Sequence, residues 1–465
     1  MKRRIVVIGG LAAGPSAASK AKRVNPDAEV ILFEQGSNIS YGICEIPYYL
    51  SGIVDDKQKL IAYTPGELKE KRGVTVKIHH RVEKILPTKR KVLVRDLEKN
   101  DVVEYLFDKA ILATGSKSRR LSIPGENSQN VFVVKSYDDG MKIKEFLDSA
   151  HPRKAVLVGG GYIGMEMAEV LTSLGIETTI LHKSELPMAG LERETRQAVA
   201  EQLTQHGVHF IPNVQTERFI HEPHSSSRVG QVVRVLTSKG VFESDIVILS
   251  LGVEPNAELA KDAGISVGAT GAIRVDEMQR TRTDNIYAAG DCCEVKNLVN
   301  NRPMYMPLAT VASKAAWVAG ENAAGGRALF KGAIRAIAVK VFDLEVAQVG
   351  LSADEARESR FDVATELIHG HSRVAYMPGS KDVTVKFILD KKSKRLLGAN
   401  LFGGEGVTLR ANILAVAVQH KLTVDEISQL DLAYAPPFSP LWDPVLVAAN
   451  VSKRIWKATP RREKS

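Results

Sequence analysis

One thiol of this chain stands where a thiol could do chemistry. Cys44 lies in Ser40-Tyr41-Gly42-Ile43-Cys44-Glu45-Ile46-Pro47-Tyr48-Tyr49. The thiolate is the nucleophile and the thiol a poor one, so a working Cys44 is expected to titrate below its ordinary value. No second cysteine lies nearby in sequence. Two fates are then open to it: a mixed disulfide with an external thiol, or oxidation to a sulfenic acid. The other two cysteines, Cys292 and Cys293, are adjacent and follow Asp291 directly. A vicinal pair could serve as a resolving dithiol, but its place beside Asp291 points to packing.

The second kind of chemistry is phosphate binding. Gly159-Gly160-Gly161-Tyr162-Ile163-Gly164 is a full G-x-G-x-x-G between a strand pattern and a helix pattern. Gly159 permits the tight turn, Gly161 lets a pyrophosphate approach the backbone, and Gly164 lets helix and strand pack closely. A first turn, Gly9-Gly10-Leu11-Ala12-Ala13-Gly14, has Leu11 where the second glycine belongs. It is followed by Glu34 at the end of the next strand, where an acid hydrogen-bonds an adenosine ribose. In the second unit that strand end carries His182-Lys183 instead. Basic residues there favour a ribose 2′-phosphate, hence NADPH over NADH. Two such units imply two dinucleotides, an electron donor and a flavin (FAD) that relays the electrons.

Further motifs resemble those of two-dinucleotide flavoprotein reductases. Thr281 followed by Ile286-Tyr287-Ala288-Ala289-Gly290-Asp291 resembles their second flavin motif, in which the Asp contacts the ribityl chain. Ala113-Thr114-Gly115 and Gly252-Val253-Glu254-Pro255-Asn256 resemble their two link motifs. The four motifs stand in the expected order over residues 1 to about 325. The Cys44 segment resembles the single-cysteine class of this superfamily. That class holds the coenzyme A–disulfide reductases, their polysulfide-reducing relatives, and NADH oxidases and peroxidases. Relatives with an internal disulfide carry a second cysteine where this chain has Tyr49. The oxidase and peroxidase branch carries a His in the first glycine turn, and this chain has none there.

Leu432-Ala433-Tyr434-Ala435-Pro436-Pro437-Phe438-Ser439 resembles the C-terminal signature of the coenzyme A–disulfide reductase branch. The resemblance implies that Tyr434 reaches the thiol of a partner subunit. Tyr376, in Ala375-Tyr376-Met377-Pro378-Gly379, resembles a second catalytic tyrosine of the family. Coenzyme A brings phosphates, and Lys20 and Arg23 share one face of the first helix. The family uses basic residues there, with Ser40 near the pantetheine arm and Lys71 or Arg72 adding charge. The resemblance adds Val82, Ala309 and Glu166 to the cofactor-binding set, and Ser16 and Ile43 to the substrate-binding set. One departure stands out. After Pro307-Leu308-Ala309 the family commonly has Asn-x-Gln-Gly-Arg, whereas this chain has Ser313-Lys314-Ala315-Ala316-Trp317. Substrate contacts from that helix are left unassigned by the resemblance.

These residues need a frame to hold them. The chain has 465 residues, 63 Lys+Arg, 54 Asp+Glu and three Cys. Its balance of 44% apolar and 25% charged residues excludes wholesale disorder. Three cysteines exclude a disulfide scaffold and suggest a reducing compartment, hence the cytoplasm. The net charge of +9 suits a polyanionic small ligand. No dense basic run interleaved with aromatics suggests nucleic acid. Lys2-Arg3-Arg4 and the apolar run after it imitate a secretory signal, but glycines break the run. No stretch is apolar enough to predict a membrane span, and no metal site is expected.

Continuous β-branched runs at Ile5–Ile8 and Ala155–Val158 each precede a glycine turn, a helix and a second strand. Val74–Ile78, Lys91–Val94, Lys109–Ala113 and Ile246–Leu251 read as strands, and Val232–Leu236 with Val241–Phe242 as a hairpin. From about Lys331 strands Ala338–Phe342 and Thr384–Leu389 and a helix Val407–Gln419 mark a third domain. The expected fold is α/β: two Rossmann-like domains, glutathione-reductase-like, plus a C-terminal α+β dimerisation domain. The expected boundaries are 1–148 and 248–328 for FAD, 149–247 for NAD(P)H, 329–452 for dimerisation and 453–465 for a basic tail. A homodimer is expected. So is the lack of an appended rhodanese domain, because the chain ends soon after Val451.

Overall fold

A computed structural model describes residues 2–223 and 231–456. The run from Arg4 to Ile8 forms a strand whose Ile5, Val6 and Val7 are essentially without solvent contact. It enters the glycine turn, then helix α1 (Ala13–Val24), then strand Glu29–Phe33. Ala13, Ala17, Ala18 and Ala21 of α1 are buried, and these small side chains allow close packing on the sheet and on a later helix. The first sheet is parallel, in the order Ile286–Ala288, Lys109–Leu112, Arg4–Ile8, Glu29–Phe33, Thr75–Lys77. All strand-to-strand neighbours run the same way, as crossover connections through helices require.

The second unit repeats the plan. Strand Lys154–Val158, helix α2 (Tyr162–Ser173) and strand Glu177–Leu181 build a parallel sheet in the order His209–Ile211, Glu177–Leu181, Lys154–Val158, Ile246–Leu249, Val131–Val133. Val131–Val133 falls within the stretch 1–148 expected in the first domain, yet it pairs with Ile246–Leu249 in the second sheet. A three-residue edge strand with no glycine turn of its own carries no sequence mark of its sheet. Similarly, the expected hairpin around Val232–Leu236 gains a third strand, Thr216–Pro223.

Helix α3 (Ala309–Ala324) packs on α1 and returns the chain to the first unit. The third domain is a five-stranded antiparallel sheet, in the order Ala336–Val341, Leu344–Gly350, Leu396–Gly403, Asp382–Asp390, Val363–His371. Helix α4 (Val407–Gln419) packs Leu414, Ala417 and Val418 on it. This domain grips the second unit through charge. Lys386 lies 2.9 Å from Glu192 and 2.7 Å from Glu194. Glu169 on α2 accepts from the Phe342 N–H at 2.9 Å and pairs with Lys340. Of the expected tail, Lys453–Trp456 forms a short 3-10 turn and residues 457–465 lie outside the described residues. Among the described residues no helix is long and apolar enough to cross a membrane.

Candidate active site

The two glycine turns are built alike, down to one hydrogen bond. In the first, Gly9 takes a positive φ of 109°, and a Cβ on Gly14 would fall 1.8 Å from the Gly9 carbonyl oxygen. The Gly10 N–H donates to Glu34 Oε2 at 2.6 Å, and the Gly36 N–H donates to Oε1 at 2.7 Å. A carboxylate has about four acceptor positions, so two remain for a ribose diol. In the second turn Gly159 has φ 110°, and a Cβ on Gly164 would fall 2.3 Å from its carbonyl oxygen. Here the Gly160 N–H donates to His182 Nδ1 at 3.0 Å. His182 therefore occupies the place of Glu34. It is buried, and burial followed by the nearby Arg196 and Lys183 charges lowers its pKa. The expectation of a cationic His182 is corrected: its Nδ1 is an acceptor, which requires the neutral ring. Lys183 is exposed and is the cation at this strand end.

The two link motifs run side by side. Thr114 Oγ1 donates to the Asn256 carbonyl at 2.6 Å, and the Asn256 N–H donates to the Gly115 carbonyl at 2.9 Å. Ser116–Ser118 then pairs antiparallel with Val253–Pro255. Ala113 closes on the first turn, its carbonyl lying where a Cβ on Gly9 would go. Val82, partly buried, packs against the apolar cluster that contains Phe33, the last residue of the strand before Glu34. Ala309 opens α3 and is exposed.

Cys44 sits in a 3-10 turn, Ile43–Glu45, that leads into a helix. Its surface is open to solvent, while Ile43 packs against the apolar cluster of the second unit. Four charged groups act on the thiol: Glu45 beside it in the same turn, and Glu166 of α2, Lys135 and Asp291 from three other segments. Burial by surrounding atoms, then Glu166 and Glu45, push the Cys44 thiol up, and Lys135 alone of the four pulls it down. The expected low titration is therefore reversed in direction. Burial, followed by the neighbouring Glu169, raises Glu166 to about 7. Asp291 is raised by burial against the pull of Lys135 and receives Ser116 Oγ at 3.0 Å. Lys135 is itself lowered by burial. It was not singled out in the sequence, nor was Tyr305, whose hydroxyl is raised by burial and by Asp291. Neither belongs to a recognisable motif.

Cys292 and Cys293 are buried, with sulfurs 3.6 Å apart and unbonded. Cys292 Sγ leans on the Ala289 carbonyl at 3.4 Å. They pack the apolar cluster under the first sheet.

Residues 3–316 match the pyridine nucleotide-disulphide oxidoreductase family, and residues 337–444 match that family's dimerisation domain. The chain belongs to this family. Among its relatives, the NAD(P)H coenzyme A polysulfide/persulfide reductase of Pyrococcus horikoshii is 34% identical over 97% of this chain and 99% of its own length. The coenzyme A disulfide reductase of Staphylococcus haemolyticus is 30% identical over 94% of this chain and 96% of its own. The solved structure of reduced CoADR-RHD from Bacillus anthracis superposes with a TM-score of 0.93 at 31% identity, covering 98% of this chain and 81% of that one.

In this oxidoreductase the tyrosines lie on the dimerisation domain. Tyr376 is 82% and Tyr434 46% exposed. Their segments touch, since the Val374 N–H donates to the Pro436 carbonyl at 3.3 Å. Buried Arg410 of α4 ties both down, donating to Asp443 Oδ2 at 2.9 Å and to the Ser372 carbonyl at 3.0 Å. Neither tyrosine is among the groups that bear most on Cys44 within one chain.

The basic residues lie on the flank of the first unit. Lys20 pairs with Glu321 at 2.8 Å and stands with Arg23 beside Trp317. Lys71 pairs with Glu67 at 2.9 Å, and Arg72 donates to the Tyr63 hydroxyl at 3.2 Å. Ser40 holds a positive φ of 53°, and its N–H donates to the Gly10 carbonyl at 2.9 Å, placing it at the mouth of the first turn. Ser16 Oγ is turned back on the Ala12 carbonyl at 2.7 Å.

Proposed function

We propose that this enzyme reduces coenzyme A disulfide, coenzyme A persulfide or polysulfide with NAD(P)H, through Cys44 and a mixed disulfide with coenzyme A. The observation that supports it most is an open thiol on which the charges of Glu166, Lys135 and Asp291 all act, with both other cysteines buried. A local disulfide has no partner, so a disulfide at this thiol takes its second sulfur from outside.

The first turn fits FAD: Gly9 permits its tight bend, Gly14 lets α1 pack on the turn, Glu34 keeps acceptors for a ribose, and Asp291 follows the strand Ile286–Ala288 beside it. Val82, Ala113, Thr114, Gly115 and Ala309 line that unit. The second turn fits a nicotinamide nucleotide, with Gly159, Gly161 and Gly164 at the phosphates, Glu166 further along α2, and Lys183 as the cation for a 2′-phosphate. When bound, the two groups supply two electrons to the thiol site.

The Cys44 thiolate attacks one sulfur of a coenzyme A disulfide. The S–S bond breaks, Cys44–S–S–CoA forms, and one coenzyme A thiolate leaves and takes a proton. Two electrons then cleave the mixed disulfide to regenerate the Cys44 thiolate and release the second coenzyme A thiolate, which also takes a proton. Lys135 stabilises the thiolate by charge. Tyr434, delivered by the second copy of a homodimer, donates a hydrogen bond to the leaving sulfur, with Tyr376 close to it. Ser40 and Ile43 flank the arm of the substrate, and Ser16, Lys20, Arg23, Lys71 and Arg72 hold its anionic phosphate end. Three unbonded cysteines suit the reducing cytoplasm.

The Cys44→Ser variant tests this. Disulfide turnover should vanish, while bound FAD stays reducible by NADPH; the same assay with NADH reads the nucleotide preference. Retained disulfide turnover would rule the mechanism out. Oxygen consumption without disulfide turnover in the wild type would favour a Cys44 sulfenic acid oxidase or peroxidase instead.

A further inference from the structure

The helix pair beside the first turn carries one aromatic ring that no step above uses. Trp317 stands on α3 with 49% of its surface exposed. Lys20 Nζ lies 5.3 Å and Arg23 Cζ 5.5 Å from its ring centre, both projecting from α1. Lys20 also pairs with Glu321, one turn beyond Trp317 on the same face of α3. The two helices cannot drift apart at this point. A Cβ on Gly320 would meet the Ala17 carbonyl oxygen at 2.2 Å, so the backbones are in direct contact. An indole placed to hide apolar surface would be turned into the core. This one is half open and faces two cations on a rigid base.

That combination is what the nucleotide end of a ligand needs. An aromatic face stacks a base irrespective of its hydrogen-bonding edge, and adjacent cations neutralise phosphates. The placement suits a ligand whose other end is at Cys44. Ser40, four residues before Cys44, is bonded to Gly10 in the turn that leads into α1 at Ala13. Lys20 and Arg23 lie about 10–15 Å further along the same helix, a span that an extended pantetheine arm bridges. The indole also stands where the family motif carries Arg, so it is a feature of this chain.

We propose that Trp317 is the platform for the adenine of the coenzyme A half of the substrate, with Lys20 and Arg23 holding the phosphates beside it. Trp317 thereby sets the preference for nucleotide-bearing disulfides over bare ones. Binding requires Lys20 to exchange Glu321 for a phosphate. This rests on the coenzyme A reading above and assigns the residue that enforces it.

The test compares coenzyme A disulfide with pantethine, which has the same disulfide and arm but no nucleotide. Steady-state constants are measured for the FAD-loaded wild type, Trp317→Ala and Trp317→Phe, with melting temperatures alongside. Trp317→Ala should lose about tenfold in kcat/KM for coenzyme A disulfide, about 1.4 kcal/mol, through KM and not kcat. Its pantethine constants should stay at wild-type values, and Trp317→Phe should keep most of the preference. A wild-type preference that survives Trp317→Ala overturns the platform alone. Equal losses on both substrates would mean a packing role and also overturn it. A wild type that turns over both disulfides equally overturns the coenzyme A reading itself, and this assignment with it.

Discussion

The thiol at the centre of the site is held high first by burial and then by its charged neighbours. Glu166 comes within reach of Cys44 from α2, and its charge raises the thiol's pKa. Glu166 itself is raised from 4.5 to about 7, so its charge appears only near and above neutrality. A carboxyl raised in the folded state keeps a proton that the unfolded chain has released between those two values. Stability from this group is present at low pH and lost as pH rises through about 7. Glu166→Gln removes both effects. In FAD-loaded, reduced protein, the pH profile of Cys44 alkylation should move to lower pH. The decline in stability between pH 4.5 and 7 should flatten. An alkylation profile that does not move, or moves up, would show that Glu166 does not govern the thiol. Lys135 acts in the opposite sense, and that balance was not legible in the sequence. Glu166, Lys135 and Asp291 are 31 or more residues apart in the chain and meet only through tertiary packing. Cys44, by contrast, was legible because a nucleophile is named by its own atoms.

Both strand–turn–helix units were readable because their glycines answer a backbone demand rather than a side-chain preference. Gly14 and Gly164 are each required by a carbonyl oxygen of their own turn. The same steric logic makes the two units separable by mutation. Gly14→Val should push α1 off its strand and lower the flavin content of purified protein, read from visible absorbance. Gly164→Val should leave flavin content at wild type and raise KM for the nicotinamide nucleotide, at a packing cost of about 1–3 kcal/mol. Loss of flavin from the Gly164 variant, or an unchanged nucleotide KM, would contradict this division of labour. His182 shows where the reading of an element stopped short. Its position was visible, but its charge depends on a hydrogen bond to Gly160 and on burial, and neither is written in residue type. The edge strand Val131–Val133 was missed for a related reason, since a three-residue strand states no register.

At the scale of the whole molecule, the proposed composite site would leave one chain incomplete and in need of a matching surface. Phe438, Leu441 and Trp442 are 80%, 67% and 60% exposed, next to Tyr434 and Tyr376. Single exposed apolar side chains are ordinary, but a cluster of large ones held by a buried Arg410–Asp443 pair marks a face made for a partner. The dimerisation-domain match covers this face to residue 444. A two-fold axis through such a face lets each copy complete the other. Mixed dimers can read this directly. The Cys44→Ser chain lacks the thiol but keeps Tyr434, and the Tyr434→Phe chain has the reverse. Refolded or co-expressed at equal amounts, half of the dimers carry one of each. If Tyr434 serves the partner's thiol, each mixed dimer contains one intact site and one doubly defective site. Activity on coenzyme A disulfide should then rise to at least about a quarter of wild type, above what Tyr434→Phe alone supplies at that dose. If each tyrosine served its own chain, mixing would restore nothing, and activity would fall to half that of the Tyr434→Phe protein. A mixture no better than that dilution would place Tyr434 in its own subunit's site and overturn the composite arrangement.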